Sequence, residues 1–250
     1  MTLNSKTKLH VSAAGIAGLA AGLILVASSA ATQTADSACV PSTTILKSPR
    51  TGSQEVQAKA LNDRGDVVGF ADSMGGSGAI HAILWKGGKA SAAIDLGVLP
   101  GYVASEAYGV NNDRVVFGLL YDTKERTFPF RWEDGRMVVL KGLNGQPQQA
   151  EASERNAING RGEMIATLII EGQRQAVRWS PDGKATRLPA LPGHTWTDAF
   201  GINDDGIVSG WSRKLPSDDG EENPVIWDAS GKIVPMKTAP GRADGIAEAT

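Results

Sequence analysis

The stretch "FGINDDGIVSGW", Phe200 to Trp211, reads as a strand, a tight turn and a second strand. The chain writes it three more times, as "KALNDRGDVVGF" from Lys59, "YGVNNDRVVFGL" from Tyr108 and "NAINGRGEMIAT" from Asn156. The asparagines that open the turn, Asn62, Asn111, Asn159 and Asn203, are spaced 49, 48 and 44 residues apart. Seven residues after each comes a small one: Gly69, Gly118, Ala166 and Gly210. A tryptophan then follows in every copy, Trp85, Trp132, Trp179 and Trp227, at spacings of 47, 47 and 48. Self-similarity at a fixed period marks stacked supersecondary units, each too small to bury both of its faces alone.

The rest of the unit follows from its punctuation. Each tryptophan closes a short apolar run ("HAILW", "FPFRW", "QAVRW", "NPVIW"), and each is followed by a Gly-containing turn and a fourth apolar run such as "AAIDLG" or "MVVLKG". Alternating runs bounded by turn residues are half-buried strands, so one repeat holds four strands and leaves no room for a helix. Connectors such as "LPGY" at Leu99 and "LPGH" at Leu191 end the fourth strand, because proline removes a backbone donor and glycine relaxes φ. The predicted fold class is therefore all-β. It is a β-propeller-like array of four four-stranded antiparallel blades with repeats of about 48 residues, forming an open or incomplete ring. The repeats are placed at about 53–101, 102–145, 146–193 and 194–241, with a partial strand at 242–250. "TTILKSPRTG", Thr43 to Gly52, matches the end of a repeat and reads as a leftover fourth strand. In the Asn-opened turns Gly65, Gly162 and Gly206 turn the chain, but Arg114 takes that place in the second copy, so a different turn is expected there.

These motifs carry a resemblance. "ALNDRGDVVGFA", "HAILW", "IDLGVLPG" and "SEAYGVNN" in that order resemble the bacterial HAF-repeat family, probable extracellular repeat proteins named for a His-Ala-Phe triplet ahead of a tryptophan. The likeness runs from about Ser42 to Thr250, with "HAI" at His81 the nearest copy of the triplet and "FPF", "QAV" and "NPV" replacing it later. It implies secretion and repeated β structure, and it brings no catalytic residues.

The first 35 residues hold Lys6 and Lys8, no carboxylate before Asp36, an apolar run from Val11 to Val26 and then the small residues of "ASSAATQTA". That order is a secretory signal peptide. The run of 16 residues is shorter than the roughly 20 a membrane span needs. The reading is residues 1–35 as signal peptide and cleavage region, 36–250 as a single β domain, and a secreted, periplasmic or extracellular location without a stable membrane span. Without Lys6 and Lys8, 23 of the 25 basic residues remain against 27 acidic ones, a net charge of −4. An acidic surface argues against nucleic acid. The single cysteine, Cys39, has no partner for an internal disulfide.

Catalysis would need a nucleophile beside a base, or a metal cluster. Beyond the leader, His81 and His194 fall in different repeats, and Phe128, Gln175 and Asn223 occupy the slot of His81 in the later ones, so His81 is structural. No His, Cys, Asp and Glu spacing resembles a zinc site, and the acidic loop "SDDGEEN" with Asp218, Asp219, Glu221 and Glu222 lacks the alternate-residue pattern of calcium loops. No metal or cofactor is expected. The four periodic tryptophans are packing residues. Trp196 and Trp211 are off that register, and Tyr102, His194 and Trp196 sit in or beside connectors, where aromatics on one rim would stack a sugar or peptide. The functional reading is a secreted, non-enzymatic binding or surface-interaction protein with a glycan or protein ligand on one rim. The rivals are an extracellular or periplasmic hydrolase with a rim active site and a structural scaffold that self-associates.

Overall fold

The computed structural model describes residues 43–236, apart from 51, 54, 73–78, 152–157 and 215–221. The expected signal peptide, Cys39, the expected partial strand at 242–250 and the loop residues Asp218, Asp219 and Glu221 lie outside the described residues. Glu222 is described. It opens a strand and pairs with Arg213 at 3.3 Å.

Four antiparallel sheets follow one another along the chain, each with its strands in sequence order. Blade one is β1 (Val56–Leu61), β2 (Val67–Ala71), β3 (His81–Trp85) and β4 (Ala93–Gly97); blade two is β5 (Ala104–Val110), β6 (Val116–Tyr121), β7 (Thr127–Glu133) and β8 (Arg136–Val139). Blade three is β9 (Met164–Ile170), β10 (Gln173–Trp179) and β11 (Ala185–Arg187); blade four is β12 (Trp196–Ile202), β13 (Val208–Arg213), β14 (Glu222–Trp227) and β15 (Ile233–Pro235). In blade three the expected first strand is marked among the described residues by the bridges Ala150 to Leu168 and Ile158 to Met164. The segment between them is 152–157.

The small residue seven places after each turn asparagine has a steric cause. The first strand carries a β-bulge at Ala58/Ala60, Ala107/Gly109 and Ala199/Gly201. A Cβ on Gly69, Gly118 or Gly210 would collide with the carbonyl oxygens of Gln57, Glu106 and Asp198 on the bulged strand.

Stacking of the blades buries the alternate faces. Val68, Leu84 and Leu96 of blade one pack with Ala107 and Val110 of blade two. Phe117 and Leu119 of blade two join a larger core with Leu168 and Trp179 of blade three and Ala199 and Ile202 of blade four. Each of the Val, Leu, Ile and Phe side chains among them contributes about 1.5–3 kcal/mol by leaving water. The periodic tryptophans add a bond in register. The indole N–H of Trp179 donates to Lys141 O at 2.6 Å, and that of Trp227 to Pro189 O at 2.8 Å, each 38 residues upstream at the end of the preceding blade. Trp85 makes the same bond 38 residues upstream to Lys47 O at 2.7 Å, and Leu46 packs on its cluster. Thr43 to Lys47 thus lies where a preceding fourth strand belongs, although it pairs with no sheet among the described residues.

Third strands alternate at the position three before the tryptophan: Ala82, Pro129, Ala176, Pro224. Where alanine leaves an N–H, a hydroxyl on the next blade's first strand accepts it, Ala82 N to Ser105 Oγ at 2.9 Å and Ala176 N to Thr197 Oγ1 at 2.8 Å. Proline has no N–H to satisfy.

Candidate functional site

The turn asparagines build the feature that joins the blades at one end of their first strands. Within each turn the side chain closes the hairpin on itself: Asn62 Oδ1 accepts from Arg64 N at 3.0 Å and Asp66 N at 2.9 Å, and Asn111 and Asn159 repeat both bonds. The amide nitrogen, however, leaves its own repeat. Asn62 Nδ2 donates to Asn111 O at 2.8 Å, Asn111 Nδ2 to Asn159 O at 3.4 Å, and Asn159 Nδ2 to Asn203 O at 2.9 Å. Local turn chemistry accounts for the asparagine oxygen and for one amide hydrogen where the turn offers a carboxylate, Asn62 Nδ2 to Asp66 Oδ2 at 3.0 Å and Asn159 Nδ2 to Glu163 Oε2 at 2.8 Å; the ladder accounts for the bond between repeats.

The ladder borders one polar opening of about 190 Å³ to which all four blades contribute. Its wall carries the residue before each asparagine, Leu61, Val110, Ile158 and Ile202, and its mouth carries the residue after. Those mouth groups are tied across blades: Asn112 Nδ2 donates to Asp63 Oδ2 at 2.9 Å, Asp63 N to Asn112 Oδ1 at 3.1 Å, and Gly160 N to Asp204 Oδ1 at 2.6 Å. Exposed carboxylates, amide groups and turn backbone over an aliphatic wall offer hydrogen bonds to a polar ligand. They do not set a nucleophile beside a base.

The turn containing Arg114 corrects the expectation of a different geometry. Asn111 N donates to Val115 O at 3.1 Å and Arg114 N to Asn111 O at 3.0 Å, the same pair of bonds as Asn62 N to Asp66 O and Gly65 N to Asn62 O. Arg114 adopts a positive φ of 63°, close to the 73°, 79° and 79° of Gly65, Gly162 and Gly206 in the other copies. Its compensation comes from the neighbouring blade: Arg114 Nε donates to the buried Asp66 Oδ2 at 2.9 Å, and Gly87 N to Asp66 Oδ1 at 2.8 Å. Burial pushes the Asp66 carboxyl up, but the bonds from Arg114, Asn62 and Gly87 outweigh it and hold the group below its ordinary value.

The chain is β-propeller-like: four sheets in file, set around a common opening by equivalent turns. Solved structures with similar folds include the putative TolB from Agrobacterium tumefaciens, at 14% identity over 67% of this chain and 60% of that one, with a TM-score of 0.45. A puromycin hydrolase matches at 15% identity over 75% of this chain and 31% of its own, with a TM-score of 0.45. A polysaccharide lyase, an ulvanlyase, matches at 12% identity over 72% and 54%, with a TM-score of 0.39. This chain therefore spans less than two thirds of the length of each of them. No family model matches the chain, and no curated protein does.

The rim residues expected from sequence lie elsewhere. Trp196 is the first residue of β12 rather than part of the connector, and Asn203 follows the last, so the two ends of that seven-residue strand are about 20 Å apart. The connectors and the Asn-lined mouth are thus at opposite ends of the first strands. Trp196 is half-buried with the Arg174 guanidinium 5.8 Å from its ring centroid, and His194 Nδ1 meets Ser212 Oγ at 3.1 Å. Both lie against blades three and four. Tyr102 belongs to the cluster between blades one and two, edge-on to Phe128 at 5.5 Å, and burial pushes its hydroxyl pKa up. His81 Nδ1 lies 2.8 Å from Asp95 Oδ1, and Arg50 Nη1 lies 3.2 Å from Asp95 Oδ2. Among the described residues no group of three or more His, Cys, Asp and Glu could hold a metal, and no helix is long and apolar enough to cross a membrane.

Proposed function

We propose that the protein is an exported, non-catalytic binding protein built from HAF-type repeats, and that it takes a polar ligand, a glycan or a protein segment, at the Asn-lined mouth. The observation that carries this reading is the convergence of four equivalent turns on one polar opening. Loops held at fixed positions by a rigid frame are where such frames bind. Export rests on the charge order and apolar length of the leader. A second contact is favoured by the half-buried Trp196 beneath Arg174: with His194, and Tyr102 on the neighbouring blades, it offers aromatic faces at the far rim.

Glycan-array binding and a broad hydrolase screen on the purified protein test the class. The combined Asp63→Asn and Asp204→Asn variant keeps the size of the mouth groups and removes their charge. Loss of binding in that variant, with binding retained in Trp196→Ala, supports the mouth; the opposite pattern moves the ligand to the rim. Turnover of any substrate by the wild type refutes the non-catalytic reading. Intact-mass analysis of secreted protein is expected to show a start between Ala30 and Cys39, and recovery of the full-length chain would refute export.

A further inference from the structure

Among the described residues the ladder leaves one donor and one acceptor unused, at opposite ends of the file of blades. Asn111, Asn159 and Asn203 each present a carbonyl that accepts both a turn N–H and the amide of the preceding asparagine, whereas among the described residues Asn62 O accepts only Gly65 N. Asn203 is exposed where Asn62, Asn111 and Asn159 are 8%, 5% and 3% exposed, and among the described residues its amide nitrogen reaches no carbonyl. The apolar surfaces show the same mismatch. Leu61 is 72% exposed, whereas its counterparts Val110, Ile158 and Ile202, each covered by a preceding blade, are at most 8% exposed. On blade four, Trp211, Pro224 and Ile226 are only half-buried, while their counterparts Phe70, Ala82 and Leu84, covered by blade two, are buried. Ile207, 37% exposed, stands beside them in the slot that the buried Asp66 fills in blade one.

We infer that the outer face of blade four docks on the outer face of blade one of a second copy of this chain. This continues the interface that already joins consecutive blades. The occupant is set by complementarity: the donor half and the acceptor half of one repeated interface are both present on every chain, which makes a head-to-tail contact between identical molecules. In that contact Asn203 Nδ2 would donate to Asn62 O, and Ile207 would lie opposite Gly65. The latter pairing repeats Asp66 with Arg114, and the approach of Glu163 to Gly206, at the internal interfaces.

The register supplies a test with a built-in rescue. Ile207→Asp is compatible with the fold, since blade one carries Asp66 in that slot, and Gly65→Arg is compatible, since Arg114 holds φ 63° in the same turn. Sedimentation velocity across a wide concentration range, with circular dichroism as a check on folding, is expected to show the wild type growing in mass and Ile207→Asp staying monomeric. The chain carrying both substitutions should regain association by re-creating the Asp66–Arg114 ion pair between copies. Mixing Ile207→Asp with Leu61→Glu, each with one intact end, should give one-to-one pairs and nothing larger. A monomeric wild type at every concentration, association of Ile207→Asp equal to wild type, or failure of the double variant to recover would each overturn the proposal. A Leu61→Glu chain that associates as well as wild type would point to blade-four faces meeting each other, and would overturn it too.

Discussion

Replacing Asn159 by alanine tests the ladder most directly. The side chain is 3% exposed and makes four hydrogen bonds. Its oxygen accepts from Arg161 N at 3.1 Å and Glu163 N at 2.9 Å, and its nitrogen donates to Glu163 Oε2 at 2.8 Å and Asn203 O at 2.9 Å. A typical bond contributes about 1 kcal/mol net, and a buried group left unpaired costs about 1–3 kcal/mol. Arg161 and Asn203 are exposed, so water recovers part of two of the four bonds. The Glu163 N–H and the turn itself are less readily rehydrated. The expected loss for Asn159→Ala is about 2–3 kcal/mol. Asn203→Ala removes the one side-chain bond that Asn203 makes among the described residues, from Ile207 N at 2.9 Å, at an exposed position, and should cost only about 0.5–1 kcal/mol. Asn159→Asp separates turn from ladder: one carboxylate oxygen still accepts from both turn N–H groups, but the other then faces Asn203 O and Glu163 Oε2 in place of an N–H donor. It should cost about 2 kcal/mol although the turn is kept. Urea unfolding followed by tryptophan fluorescence and circular dichroism measures all three, with coincidence of the two probes checking that one transition is being read. Equal losses for Asn159→Ala and Asn203→Ala, or a neutral Asn159→Asp, would refute the bond between repeats.

Two further outcomes follow from other contacts. Arg114→Gly should relax a positive φ yet destabilise the protein by leaving the buried Asp66 with only Asn62 and Gly87 as partners. The Asp66 pKa is lowered on folding, so its contribution is present above its unfolded value of about 4 and fades as pH falls through the lower folded one. The stability gap between Arg114→Gly and wild type should therefore be full near neutrality and shrink in acid, and a gap independent of pH would refute the ion pair. Trp132→Ala, 7% exposed between blades one and two, should lose about 3–5 kcal/mol, whereas Trp196→Ala, half-buried at a strand end, should lose about 1 kcal/mol or less; equal losses by urea unfolding would show that Trp196 belongs to the core.

Sequence alone determined the features that close within one hairpin. An asparagine seven residues ahead of a small residue, and a tryptophan at a constant interval, define strand and turn because the hydrogen bonds and steric limits involved act locally or between adjacent strands. That was enough for four repeats, an all-β class and the packing role of Trp85, Trp179 and Trp227. The tertiary structure decided what the repeats do to one another. The Asn159 amide reaches a carbonyl 44 residues away, Arg114 keeps a glycine-type turn by pairing with a carboxylate 48 residues upstream, and Trp196 starts a strand at the end far from the mouth. None of these distances is written in the local pattern. They arise from how far one blade is rotated and shifted against the next, and the side chains buried between whole blades set that offset together. The recurrence of asparagine could have pointed to the ladder, since its amide nitrogen carries two hydrogens and the turn takes at most one of them. Which carbonyl would take that hydrogen could be known only once the blades were stacked.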